Sequence, residues 1–146
     1  MKAVKMDNMA IVYPRFFSLN SILIFHLIID LIWLSFSIRY FYMPNLKAIP
    51  LNQKPVIWAG FLFYLLYVIG LTLIILRPAL HDLSVSTALW TGIIFGVVAY
   101  GTYNLTNMAF IKNWSINVVF IDMIWGGFVT GFSSALTIFI VKNYFS

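Results

Sequence analysis

Four long apolar runs constrain this chain more than any other feature of its sequence. They cover residues 16–37, 56–76, 85–111 and 116–141, and a helix needs roughly 20 apolar residues to cross a bilayer. The strict alternation of apolar and polar residues that marks a membrane β-barrel is absent from all four runs. The runs therefore predict an all-α, polytopic membrane protein, built as a bundle of four transmembrane helices.

The composition favours lipid as the solvent of these helices. Of the 146 residues, 62% are hydrophobic and only 9% are charged, whereas soluble domains carry about 25% charged residues. The length predicts one integral membrane domain over residues 1–146, in which residues 1–15 form a short polar N-terminal segment. The chain contains no cysteine, which excludes disulfide bonds and thiolate metal sites.

The basic residues lie between the apolar runs, which is typical of contact with a membrane surface and not with nucleic acid. The first run is too long for a signal peptide and lacks a small-residue cleavage site, so we expect a retained helix. We place the protein in the inner (cytoplasmic) membrane with its N-terminus in the cytoplasm. This orientation puts five basic residues inside and four outside, a narrow margin for the positive-inside rule.

Two aspartates interrupt the apolar runs in nearly identical contexts. Asp30 stands in "IDLIW" and Asp122 in "IDMIW", so a tryptophan, Trp33 or Trp125, follows each aspartate by three residues. A charged group in the middle of a membrane helix costs about 2.5–3.5 kcal/mol and usually marks a functional site. Counting along antiparallel helices at about 1.5 Å per residue places both aspartates at a similar depth, below one membrane surface.

The other polar residues fall on single helix faces at the same depth. His26 lies one turn before Asp30, and the second and third runs carry tyrosines and asparagines at helical spacing. Packing these faces inward predicts a polar pocket in one leaflet. The candidate catalytic residues are Asp30, His26 and Asp122, and the candidate ligand-binding residues are Trp33, Tyr64, Tyr67, Tyr100, Tyr103, Asn104, Asn107 and Trp125. We expect at least one carboxylate to hold or share a proton.

Each of these features also has a purely structural interpretation. Either aspartate can act as a hydrogen-bonding link between helices. The aromatic residues near the helix ends, Tyr40, Phe41, Tyr42, Trp58 and Trp114, are placed like an interfacial belt. The glycines Gly92, Gly96, Gly127 and Gly131 predict close helix contacts, and the last two can alternatively form a homodimer seam.

The two IDxIW motifs do not indicate an internal duplication. The first helix matches the fourth and the second matches the third, through Gly60-x3-Tyr64 and Gly96-x3-Tyr100. Duplicated transporter units would instead pair the first helix with the third. We therefore interpret the two aspartates as a facing pair.

Several segments together resemble a known family. "HLIIDLIWLSFSIRYFY", "FYLLYVIGL", "LRPAL", "AYGTYNLTNMA" and "IDMIWGG" are similar to the DUF2177 family of small bacterial four-helix membrane proteins. The resemblance covers nearly the whole chain after its first fifteen residues. It implies fold and membrane location, and it brings no established activity. The family pattern leads us to expect an aspartate where this chain has Asn104.

The sequence leaves three functions open. The leading one is the binding or processing of a lipid-like or small hydrophobic molecule in the intramembrane pocket. The alternatives are a proton-coupled small-solute transporter, acting as a homodimer, and a non-catalytic membrane scaffold. The sequence does not decide whether the protein is an enzyme. We predict no cofactor and no metal site, since the chain has only two histidines and no phosphate-binding glycine loop.

Overall fold

A computed structural model describes residues 21–22, 24–50, 52, 54 and 56–144. The described residues form four helices that are long and apolar enough to cross a membrane, and they contain no strand. We number the helices α1 to α4: Ile24–Asn45, Ile57–Asp82, Val85–Phe110 and Ile116–Tyr144. The predicted all-α bundle of four transmembrane helices is confirmed. The predicted segment 1–15 and the first residues of the predicted helix 16–37 lie outside the described residues.

The helices α1 and α2 continue more than one turn past the ends of their apolar runs, and α4 continues by three residues. The sequence predicted that α1 ends near residue 37 and α2 near residue 76, but α1 reaches Asn45 and α2 reaches Asp82. The run-based ends were wrong because hydropathy falls where a helix enters the membrane surface, whereas the backbone hydrogen bonds persist. The segment "RPALHD", predicted to be part of a connector, is the last part of α2. Leu83, in a left-handed conformation, ends it.

A π-helical turn begins the extension of α1 and immediately precedes the extension of α2. The wide turns cover Ile38–Tyr42 in α1 and Thr72–Leu76 in α2. In each turn the following backbone N–H, that of Met43 or Arg77, donates to the carbonyl five residues back. A proline comes next in both helices, Pro44 and Pro78. A proline ring clashes with the carbonyl four residues before it, which favours a widened turn at this point.

The third and fourth helices pack through glycines. A methyl group added to Gly96 would lie 2.0 Å from the backbone oxygen of Gly126, so the two backbones are in direct contact. Gly127 faces Val97, and Gly131 faces Ile93, both on α3. The predicted close helix contacts are therefore present. The alternative, a homodimer seam at Gly127 and Gly131, was wrong, because α3 of the same chain covers this face.

The two halves of the bundle differ in their interiors. We call the side of residues 46–56 and 111–115 the near surface, and the side of Leu83 and Ser84 the far surface. Toward the far surface the helices enclose an apolar core that includes Ile22, Leu71, Leu76 and Ile138. Toward the near surface the interior carries the two intramembrane aspartates and most of the tyrosines. The candidate site therefore lies in the near half.

Candidate functional site: an acidic, aromatic cavity in the near half

Asp30 is held by α2 and α4. Its side chain is only 5% exposed. The Tyr64 hydroxyl donates a hydrogen bond to Oδ2, and Trp125 Nε1 donates to Oδ1 over 2.8 Å. Both oxygens of the carboxylate thus accept a bond from a neutral donor, which offsets part of the cost of burying it.

Asp122 is held in the same way by α1 and α3. It is 6% exposed, and it accepts one bond from the Tyr42 hydroxyl and one from Asn104 Nδ2, the latter at 2.9 Å. Trp114 Nε1 in turn donates to Asn104 Oδ1 over 3.3 Å. An amide at position 104 supplies the N–H that Asp122 accepts, which a carboxylate at that position would lack.

The tryptophan of each IDxIW motif is hydrogen-bonded, directly or through one hydroxyl group, to the aspartate of the other motif. Trp125, which follows Asp122, donates to Asp30. Trp33, which follows Asp30, donates over 3.3 Å to the hydroxyl of Tyr42, which donates to Asp122. The two indole rings stack with centroids 4.6 Å apart and planes 15° apart. The motifs thus form two hydrogen-bonded groups between α1 and α4, and the stacked tryptophans join them.

Sequence reasoning missed Tyr42, which it assigned to the interfacial belt. In a continuous α-helix, Tyr42 would point about 120° away from Asp30. The π-helical turn absorbs one additional residue, which reduces this angle to about 20°. The distortion brings Tyr42 onto the same face as Asp30, where it reaches Asp122. The available signal was Pro44, two residues later, which warned of a helix distortion.

The aspartates line one cavity of about 720 Å³. Gly60, Phe63 and Tyr103 belong to its lining and are also exposed, so the cavity reaches the surface of the bundle. All four helices contribute to the lining. Among the described residues, the lining consists of Asp30, Trp33, Leu34, Ile38, Tyr42, Leu46, Gly60, Phe63, Tyr64, Tyr67, Ala99, Tyr100, Tyr103, Asp122 and Trp125.

Most of the candidate residues from the sequence meet at this cavity. The lining includes Asp30, Asp122, Trp33, Tyr64, Tyr67, Tyr100, Tyr103 and Trp125. Tyr67 also exchanges a hydrogen bond of 2.7 Å with Thr130 on α4. Among the described residues, the Tyr100 hydroxyl has no hydrogen-bond partner, and it remains available to an occupant.

Three candidates lie off the lining. Asn104 donates a hydrogen bond to Asp122 and does not itself line the cavity. Asn107 is half-buried near the end of α3. His26 is fully buried beside Tyr67, with ring centroids 5.1 Å apart. Its Nδ1 lies 3.5 Å from Ser133 Oγ, and its Nε2 has no partner among the described residues.

The charges around the cavity have one sign. Its described lining contains two carboxyl groups and no lysine, arginine or histidine. In the described ranges, no group of three or more His, Cys, Asp or Glu side chains could hold a metal ion. The arrangement can thus accept hydrogen bonds at Asp30 and Asp122 and surround an apolar group with aromatic rings.

Comparison with known proteins places the chain in a family. The family model described as "Predicted membrane protein (DUF2177)" matches residues 16–139. No curated protein and no solved structure shows significant similarity to the chain. The match includes both IDxIW motifs and all the residues that line the cavity. The four long apolar helices and the family description both indicate a multi-pass protein embedded in a lipid bilayer. The chain belongs to the DUF2177 family of predicted membrane proteins.

Proposed function

We propose that the protein binds a lipid-like or small hydrophobic molecule in the cavity between its four helices. The observation that carries this proposal is a cavity of about 720 Å³ with two buried carboxyl groups on its lining. Its volume falls within the roughly 300–1,000 Å³ typical of small-molecule sites. Such sites combine largely apolar walls with a few polar groups that orient the occupant.

The walls support an amphiphilic occupant. Aliphatic side chains such as Leu34 and Ile38, together with aromatic rings, would contact an apolar body. Asp30 and Asp122 would receive its polar end. Since Gly60, Phe63 and Tyr103 are exposed at membrane depth, the molecule would enter laterally from the lipid and not through water.

Any processing of the occupant would use the two aspartates. They touch the cavity, and each is already bonded to a tyrosine hydroxyl that can share a proton. His26 was the third candidate for acid/base chemistry, but it is not on the described lining. Its proposed part is therefore indirect, through Asp30 one helical turn away.

Native mass spectrometry of the protein extracted from its own membrane tests this proposal without a prior choice of ligand. We expect a bound small molecule that survives purification. Ala99→Phe, which places a ring in the cavity, should abolish retention. Ala109→Phe on the exposed side of the same helix is the matched control and should retain the molecule. A wild-type protein that is empty after mild extraction and after incubation with total lipids would contradict the proposal.

The proposal includes an inner (cytoplasmic) membrane location with a cytoplasmic N-terminus. It does not require a second copy of the chain, because all four helices of one chain line the cavity. A homodimer remains part of the transport alternative, in which two copies would enclose a pathway across the bilayer.

A proton-coupled small-solute transporter is the second candidate function. The observation that favours it is His26, which is fully buried one turn from Asp30 and leaves Nε2 unpartnered among the described residues. Buried polar atoms usually find a partner, so an internal water at Nε2 would connect this histidine to a proton path. The test is uptake of the retained molecule into liposomes along a pH gradient. Asp30→Asn or Asp122→Asn should abolish this uptake, whereas uptake that ignores the pH gradient would exclude the mechanism.

The scaffold alternative makes the opposite prediction. If the polar groups only fix the helix packing, Asp30→Asn and Asp122→Asn will lower thermal stability while ligand retention and uptake stay absent in every variant. The same two assays therefore separate the three functions.

A further inference from the structure

We infer that the occupant's polar end is an organic ammonium group, so that the cavity is a site for cationic amphiphiles. This inference rests on the proposed function, since it names the chemical class of the molecule bound there. Two independent observations carry it: the unbalanced carboxyl groups and the aromatic walls.

The hydrogen-bond inventory shows which partner the carboxylates lack. Each oxygen of Asp30 and Asp122 accepts one bond, from Tyr64, Trp125, Tyr42 or Asn104. A carboxylate has about four acceptor positions, so each retains about two. All four present donors are neutral, and the described lining contains no basic side chain. An incoming group that donates hydrogen bonds and carries a positive charge would meet both needs.

The walls favour the same group. Of the fifteen lining residues that the structure describes, eight are aromatic. The faces of tryptophan and tyrosine rings attract cations, and aromatic cages are a common way to recognise ammonium groups. The stacked pair of Trp33 and Trp125 lies beside Asp30, to which Trp125 is bonded. A site that offers both rings and carboxylates, without a cation of its own, discriminates against head groups that carry a net negative charge.

Three unbranched ten-carbon probes, which differ in their polar group, test whether the cavity prefers an ammonium group. Decylamine, decanol and decanoate are titrated by calorimetry into the full-length protein in a non-ionic detergent. We expect decylamine to bind at least about tenfold more tightly than either of the others. Equal binding of decanol would overturn the ammonium assignment and leave the proposed cavity function standing, because a protonated aspartate pair needs no cation. Tighter binding of decanoate would also overturn it. If no probe binds, both the assignment and the proposed function fail.

Aspartate-to-asparagine variants test whether the preference for decylamine over decanol arises in the cavity. Asp30→Asn and Asp122→Asn should each weaken decylamine binding by at least about tenfold while changing decanol binding by less than about twofold. Asp82→Asn is the control, because its exposed carboxyl group lies at the far surface. It should leave decylamine binding unchanged, and an equal loss there would show that the amine only responds to net charge.

Tyr103→Leu keeps the inference testable if the aspartate variants fail to fold. Tyr103 lines the cavity, is 59% exposed and bonds to neither carboxylate. The loss of its ring should weaken decylamine more than decanol, and an equal effect on both would contradict recognition by the rings.

The ammonium group has two natural sources, a lipid head group or a free amphiphile. Nanodiscs made with an aminophospholipid and nanodiscs made with a phosphatidylglycerol distinguish them by native mass spectrometry. Preferential retention of the aminophospholipid identifies a lipid head group. Decylamine binding without any lipid preference identifies a free amphiphile. Preferential retention of the anionic lipid would overturn the inference.

Discussion

At the scale of single residues, the exchange of tryptophans between the two IDxIW motifs ties α1 to α4. Trp125 donates a hydrogen bond to Asp30. Trp33 donates to the hydroxyl of Tyr42, which donates to Asp122. This hydroxyl accepts one bond and donates another, so it closes the network at the near end of α1. The loss of the Tyr42 oxygen atom would thus break the link between Trp33 and Asp122 and leave the bond from Trp125 to Asp30 in place.

Tyr42→Phe should lower the free energy of unfolding by about 1–3 kcal/mol, because it leaves Asp122 with one donor fewer in a buried position. Tyr40→Phe removes the same atom from an exposed ring of the same helix and should change stability by less than about 0.5 kcal/mol. Thermal unfolding of the two variants in detergent measures the difference. Equal midpoints would mean that the Tyr42 hydroxyl contributes nothing to the fold.

At the scale of the helices, the π-helical turn of α1 determines which side chains face the cavity. The turn acts as a one-residue insertion, and it carries Tyr42 onto the face of Asp30. A regular helix could reach the same arrangement with one residue fewer. The turn therefore changes the direction in which the side chains after it point, and this change of register is its structural effect.

Deletion of Tyr40 tests this interpretation. It should convert the wide turn into a regular one while Tyr42 keeps its place opposite Asp122. Deletion of Leu31, an equally exposed residue in the regular part of α1, should instead rotate Trp33 by about 100° relative to Asp30. We expect the Tyr40 deletion to have the higher thermal midpoint, and the reverse order would exclude the insertion interpretation.

The glycine contact between α3 and α4 fixes the distance between these two helices. Gly96→Ala brings a methyl group against the Gly126 backbone, which cannot move independently of its helix. We expect a loss of about 1–3 kcal/mol or more in the free energy of unfolding. Gly60→Ala, where no atom lies within 4 Å of the added methyl group, should be neutral or stabilise α2 by up to about 1 kcal/mol. Unfolding in detergent compares the pair, and equal losses would argue against backbone contact.

At the scale of the whole molecule, the four spans place the connectors 46–56 and 111–115 on the same side of the bilayer, and Leu83 and Ser84 on the other. The cavity lies at the near end of the bundle, because its lining comes from the adjacent helix ends. If the proposed function is correct, sidedness decides which leaflet would supply the ligand.

Cysteine labelling tests the sidedness directly, since the chain has no cysteine of its own. Lys47→Cys and Lys112→Cys should react from one side, and Asp82→Cys from the other. With a cytoplasmic N-terminus, an impermeant maleimide added to intact cells should label the first two and label the third only after lysis. Labelling of Asp82→Cys in intact cells would reverse the orientation, and labelling of all three would contradict the four-span topology.

The sequence by itself determined the class of the protein and the number of its helices. These features follow from run length, hydropathy and a constant rise per residue, all of which are local properties. The face of Asp30 was also predictable, because His26 and Trp33 share its helical spacing. Local periodicity was sufficient wherever a helix remained regular.

Only the tertiary structure decided which residues are partners. The place of Tyr42 depends on a π-helical turn that no hydropathy pattern records, and the pairing of Trp125 with Asp30 joins residues that are 95 positions apart. His26 is not on the described cavity lining because of the way in which α1 packs against Tyr67 and Ser133. The physical reason is that helix periodicity gives the direction of a side chain within its own helix, whereas contacts depend on the rotation and separation of neighbouring helices. Here the glycines of α3 and α4 and the widened turn of α1 determine both.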